Sequence, residues 1–93
     1  MGFPKIVRQT PVKHGDEWAL IVSIIQVGFR AYETAIFDDT PERRLEGWTL
    51  GDRIIESSVD KASTRDEAME HHREALYAAR TETPRHTASS KAA

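Results

Sequence analysis

Apolar and polar positions alternate along the first half of the chain and then fall into helical spacing, so the pattern predicts strands followed by one helix. Lys5 to Arg8 is a short β-branched stretch followed by Gln9-Thr10-Pro11. A proline has no N–H to give a ladder, so the segment predicts an edge strand. His14-Gly15-Asp16-Glu17 has turn composition. It leads into Trp18-Ala19-Leu20-Ile21-Val22-Ser23-Ile24-Ile25, the most apolar and β-branched segment in the chain, which predicts the central strand. Gly28 lies in a short link to the β-rich run Arg30 to Phe37, close enough to pair as a hairpin. Asp38-Asp39-Thr40-Pro41 stops that strand, and Glu42 to Gly51 reads as a long charged loop carrying Leu45, Trp48 and Leu50. Arg53 to Val59 is compatible with a fourth strand.

Thr64 stands three residues before Glu67, the capping-box arrangement that satisfies free N–H groups at a helix start. Asp66 and Glu67 in the first turn and Arg80 in the last match the helix dipole at both ends. Ala68, Met69, His72, Ala75, Leu76 and Ala79 form one apolar stripe, while Glu70, Arg73 and Glu74 face water. Pro84 prevents continuation, and Thr81 to Ala93 has no large apolar residue to anchor it, which predicts an unstructured tail. The expected architecture is α+β: a single domain over residues 1–80, with an antiparallel sheet of three or four strands and one C-terminal helix packed on one face (β-β-β-β-α), then a disordered tail over residues 81–93.

The central strand is apolar on both sides. Trp18, Leu20, Val22 and Ile24 project to one face, and Ala19, Ile21, Ser23 and Ile25 to the other. One helix covers one face, so something else must cover the second, and a second copy of the chain meets that need with closed symmetry. The expectation is a homodimer or higher oligomer, with Trp18, Leu20, Val22 and Ile24 as the self-association residues. The competing arrangement folds the N-terminal segment or the Leu45, Trp48, Leu50 loop over that face.

Composition narrows the chemistry. Ninety-three residues make one core, and the absence of cysteine excludes a disulfide framework, a thiolate metal site and a cysteine nucleophile. No apolar run approaches the ~20 residues of a spanning helix, the N-terminus lacks a signal-peptide pattern, and Ile6 stands where a myristoylation motif needs Ser or Thr. The reading is a protein without a membrane partner. Thirteen basic and fifteen acidic residues give a net charge of −2, which argues against a nucleic-acid partner.

His71 and His72 lie among Glu67, Glu70 and Glu74, residue types that ligate metals, but neighbours on a helix point ~100° apart and cannot share an ion. A solvated face of i,i+4 pairs is the simpler account, and His72, on the apolar stripe, is read as a buried histidine satisfied by a strand backbone or the Tyr32 hydroxyl. The serines form no nucleophile elbow and the glycines no phosphate loop, so neither a catalytic residue, a metal nor a cofactor is assigned and the chain is read as a non-enzyme. Arg43 and Arg44 with Trp48 are the candidate binding residues. Trp48 on a polar loop suits an interface anchor, and the arginines with Trp48 offer an alternative surface for single-stranded nucleic acid, although Glu42 and Glu46 flank the pair.

Tyr32-Glu33-Thr34-Ala35-Ile36-Phe37 and Ser63-Thr64-Arg65-Asp66-Glu67-Ala68-Met69-Glu70-His71-His72, taken together, resemble small uncharacterised proteins of actinobacterial phages of the mycobacteriophage type. That family pairs an aromatic-Glu-Thr-Met-Val-Phe strand with a helix opening on Ser-Thr, acidic residues, Ala and then His. Ala35-Ile36 replaces Met-Val here, and the Gly- and Pro-rich stretch before the strand shrinks to Gln26 to Phe29. The resemblance selects His72 as the family histidine. It implies a phage accessory or virion-associated protein in the cytoplasm of the bacterial host, binding a host or phage protein, and it brings no catalytic residue with it.

Overall fold

The computed structural model describes residues 2–14, 18–40 and 47–86. In chain order the elements are β1 (Lys5–His14), β2 (Trp18–Gly28), β3 (Ala31–Asp38), β4 (Trp48–Leu50), β5 (Arg53–Ile54), β6 (Val59–Ala62), α1 (Arg65–Thr81) and β7 (Arg85–His86). A four-stranded antiparallel sheet runs β1-β2-β3-β6, and a three-stranded sheet runs β5-β4-β7. The α+β class and the single C-terminal helix on the sheet are as the hydrophobic pattern predicts.

β1 is longer than Lys5 to Arg8, and Pro11 sits inside it, opposite Ile21. The strand tolerates this proline because it lies at the sheet edge, where the missing N–H can face away from β2. The register slips between Ile6 and Arg8, which bends the start of β1. β2 and β3 form the expected hairpin, and Gln26 donates from its side-chain amide to the Gly28 carbonyl at 3.0 Å beside a second register shift.

The expected fourth strand, Arg53 to Val59, is divided between the two sheets. The Ser57 and Ser58 N–H groups both donate to the Ile54 carbonyl, and the Ile54 N–H donates to Ser58 Oγ at 2.7 Å, so a tight turn breaks the segment. Glu56 in that turn has φ 70°, the left-handed region that a non-glycine residue enters at a cost. The chain leaves β5, turns, and joins the edge of β3 as β6, where Ala62 opposes Tyr32 and Val59 opposes Ala35. The long loop is likewise not wholly irregular: Trp48 to Leu50 is β4, joined to β5 through Gly51-Asp52, with Gly51 at φ 67°.

α1 starts where the capping box places it. Thr64 Oγ1 accepts from the Glu67 N–H at 3.1 Å, and Glu67 Oε1 accepts in return from the Ser63 N–H at 3.0 Å. Its buried stripe is Ala68, His72, Ala75 and Ala79. The alanines let the helix backbone approach the sheet closely, over Leu20, Val22 and Ile36 at one end and over Ile24, Tyr32 and Ala62 at the other. Residues 82–86 depart from the expected tail. After α1 the chain turns, buries Pro84 and lays Arg85 and His86 against Thr49 and Trp48, so an aromatic partner supplies the anchor that composition did not show. Residues 87–93 of the expected tail lie outside the described residues.

Candidate functional site

Alternation along paired strands sorts the large sheet into a covered face and an open one. On the covered side, the rows Val12–Leu20–Asp38, Thr10–Val22–Ile36 and Arg8–Ile24–Thr34–Asp60 lie beneath α1 and the small sheet. Leu20 is 1% exposed, and Val22 and Ile24 are fully buried. The expectation that these residues, with Trp18, form a self-association surface is therefore corrected: the single chain uses them for its own core. Trp18 packs at the end of the same cluster.

Beyond the end pair Lys13–Ala19, the opposite face carries three rows: Pro11–Ile21–Phe37, Gln9–Ser23–Ala35–Val59, and Ile6–Ile25–Glu33–Lys61. The middle row is small at its centre, with Ser23 only 1% exposed because the bulkier rows rise on either side of it. Ser23 Oγ is buried and has no hydrogen-bond partner among the described residues. The face thus has a small central row between Pro11–Ile21–Phe37, apolar throughout, and Ile6–Ile25–Glu33–Lys61, apolar on β1 and β2 and charged on β3 and β6, with Ile6, Pro11 and Val59 exposed. Among the described residues neither alternative cover closes it, and Leu45 lies outside them. The N-terminal segment enters the sheet as β1, and Leu50 and Trp48 pack on the helix side.

Trp48 stands 5.0 Å from Trp18 between ring centroids and 5.3 Å from His86, half-buried in an aromatic cluster at the end of the core. The structure so joins the two tryptophans, which the sequence assigned to separate roles. Arg43 and Arg44, the other candidate binding residues, lie outside the described residues.

His72 is 3% exposed on the α1 stripe, with Nε2 3.2 Å from Thr10 Oγ1 on the edge strand. Burial pushes its pKa below the ordinary 6.5, and the nearby Arg8 and Arg80 guanidiniums press the same way, against a hydrogen bond to the Val22 backbone that favours the charged ring. The strand-backbone partner is as expected, while the hydroxyl belongs to Thr10 rather than Tyr32. His71 is half-buried on the flank of the same helix. Among the described residues, no three His, Asp or Glu side chains converge as a metal site would require.

Two open grooves lie beside the sheet among the described residues. One, of about 410 Å³, has Val27, Arg30, Tyr32, Lys61 and Glu67 in its walls, and the other, of about 400 Å³, is crossed by the Arg53 Nη1–Asp60 Oδ2 ion pair at 2.5 Å. In each, basic and acidic side chains stand together. Sequence reasoning had half of the open face, Ala19, Ile21, Ser23 and Ile25, but missed Pro11, Phe37 and Ile6. The period-two alternation in β1 and β3 carried that signal, hidden in β1 by the slip before Arg8.

Fold and face together define a small α+β protein with one sheet surface filled by its own helix and the other bare among the described residues. Comparison with protein-family models, with curated proteins and with solved structures gives no match in any of the three. No helix among the described residues is long and apolar enough to cross a membrane.

Proposed function

We propose that this chain is a non-enzymatic phage accessory protein of the host cytoplasm, which pairs with a second copy through the open sheet face and binds a host or virion protein. The observation that carries the pairing is the open face: a row small at Ser23 and Ala35, between the apolar row Pro11–Ile21–Phe37 and the apolar half Ile6–Ile25 of the row beyond, with a serine hydroxyl at its centre that has no partner among the described residues. A two-fold axis along that row lays Ile25 of one copy over Ile21 of the other and Ile6 over Pro11, and it brings polar groups to the stranded hydroxyl. Edge-to-edge pairing competes poorly, since β1 carries Pro11, Lys5, Lys13 and a register slip, all of which blunt an edge.

Size sets the strength. Four strands about 4.8 Å apart and three rows about 6.8 Å apart cover roughly 400–500 Å² per copy. The pair then buries about 800–1,000 Å² in total, below the standard 1,600 Å² interface, so association is concentration-dependent. The phage assignment is supported by the Tyr32–Phe37 and Ser63–His72 segments. The test is light scattering across low to high micromolar concentration. Mass should rise from the 10.5 kDa of one chain toward twice that value. Ile25→Lys should hold it at one chain, and a wild type that stays monomeric throughout refutes the pairing.

A further inference from the structure

The link between β2 and β3 is a tight turn with Phe29 and Arg30 at its tip, between the paired residues Gly28 and Ala31. Such turns favour Gly, Asn, Asp, Ser or Pro, and neither Phe29 nor Arg30 has the positive φ that would single out a special backbone. Phe29 is nevertheless 87% exposed, and Val27 beside it is 41% exposed. Its ring touches the structure edge-on, 5.3 Å from the ring of Phe3 on the N-terminal segment. A structural role in holding that segment uses one edge of the ring and leaves the rest in water, where it costs solubility and contributes little to the core.

Charge at this end runs opposite to the molecule as a whole. Lys5, Arg30 and Lys61 stand at this end against Glu33 and Glu67, an excess of one positive charge, although the chain carries −2 overall. Lys5 opposes Gln26 on the neighbouring strand, just short of the turn. The nearest acid on β3, Glu33, lies opposite Lys61. The tip therefore presents an exposed apolar point, Phe29 with Phe3 and Val27 beside it, flanked by Lys5 and Arg30, and Val27 and Arg30 also wall the groove that holds Glu67.

We infer that this tip is a docking point for an anionic lipid bilayer, with the phenyl rings and Val27 entering the headgroup layer and Lys5 and Arg30 meeting phosphates. Glu33 and Glu67 beside Arg30 interrupt the basic track that a nucleic-acid strand would need, whereas an exposed phenyl ring next to an aliphatic side chain suits shallow insertion in lipid. Contact of this kind needs no spanning segment and no lipid anchor. It also stands apart from the open sheet face.

The test is co-sedimentation of the full chain with vesicles of phosphatidylcholine containing about a quarter phosphatidylserine, beside vesicles of phosphatidylcholine alone. At about 1 kcal/mol per basic residue near the surface, binding to the anionic vesicles should exceed binding to neutral ones by at least about fivefold and weaken in salt. Phe29→Ser should weaken partitioning about tenfold, while Tyr77→Ser, at an exposed aromatic on α1, should leave it unchanged. Phe29→Trp should retain binding and add emission that shifts to the blue on vesicles. The inference is overturned by absence of binding to anionic vesicles, by equal binding of wild type and Phe29→Ser, or by tight single-stranded DNA binding that Phe29→Ser abolishes while vesicle binding is absent.

Discussion

Leu20 and Ile21 are neighbours in sequence on opposite faces of β2, and replacing each in turn separates the core from the open face. Leu20 is enclosed by Val12, Val22, Leu50 and the α1 alanines and is 1% exposed. Truncation to alanine removes three carbons, about 2.4 kcal/mol of transfer at ~0.8 kcal/mol each. A cavity term adds to this, giving about 3–4 kcal/mol. A chain of this length has roughly 5–14 kcal/mol of total stability, so Leu20→Ala should remain folded with a much lower urea midpoint. Ile21 is half-buried in the single chain, and Ile21→Thr should cost about 1 kcal/mol or less in dilute solution while weakening self-association. The assay is urea unfolding followed by circular dichroism of α1, repeated at low and high protein concentration. The Leu20→Ala loss should be the same at both concentrations. A loss under about 1 kcal/mol for Leu20→Ala, or a larger loss for Ile21→Thr in dilute solution, would show that the faces are assigned the wrong way round.

His72 predicts a pH response with a definite sign. Its folded pKa lies below the ordinary 6.5, so the unfolded chain takes up the proton first, and stability present above that pH is lost as pH falls toward the lowered folded value. The slope is at most about 1.4 kcal/mol per pH unit. It should disappear in His72→Gln, and urea midpoints that fall in parallel for both proteins between neutral and mildly acidic pH would contradict this. Glu56 holds φ 70° in the β5–β6 turn, so Glu56→Gly should raise the unfolding free energy by roughly 0.5–1 kcal/mol, read as a higher urea midpoint, since strain relief exceeds the added freedom of the unfolded chain. Thr64→Ala removes the acceptor for the Glu67 N–H and should cost about 1 kcal/mol with early fraying of α1 under hydrogen exchange, whereas an unchanged exchange pattern would deny the cap that role.

The parts of the fold legible in the sequence are those with local causes. The Thr64 cap, the alanine stripe and the Arg80 end set α1 almost to the residue, and the β-branched run from Trp18 set the central strand. What was hidden depends on distant partners. Arg85 and His86 look like tail until Trp48 stands beside them, and Arg53 to Val59 looks like one strand until Glu56 turns it. Gly51-Asp52 between Trp48-Thr49-Leu50 and Arg53-Ile54 is a two-residue hairpin signal that could have revealed the small sheet. The candidate site was half legible for a related reason. Alternation in β2 shows two apolar faces but not which one the helix takes, and that choice rests on Leu50 and Ile55, which join Leu20 from a separate sheet.

Methyl contacts between chains test the pairing most directly. In an equal mixture of isotope-labelled and unlabelled protein, filtered nuclear Overhauser spectra report only proximities between different molecules. The predicted cross-peaks connect the methyl groups of Ile21, Ile25 and Ile6 across the two copies, with none from Leu20, Val22 or Ile24. Intermolecular peaks from those three core residues, or no intermolecular peaks at all at high micromolar concentration, would contradict a second copy seated on the open face.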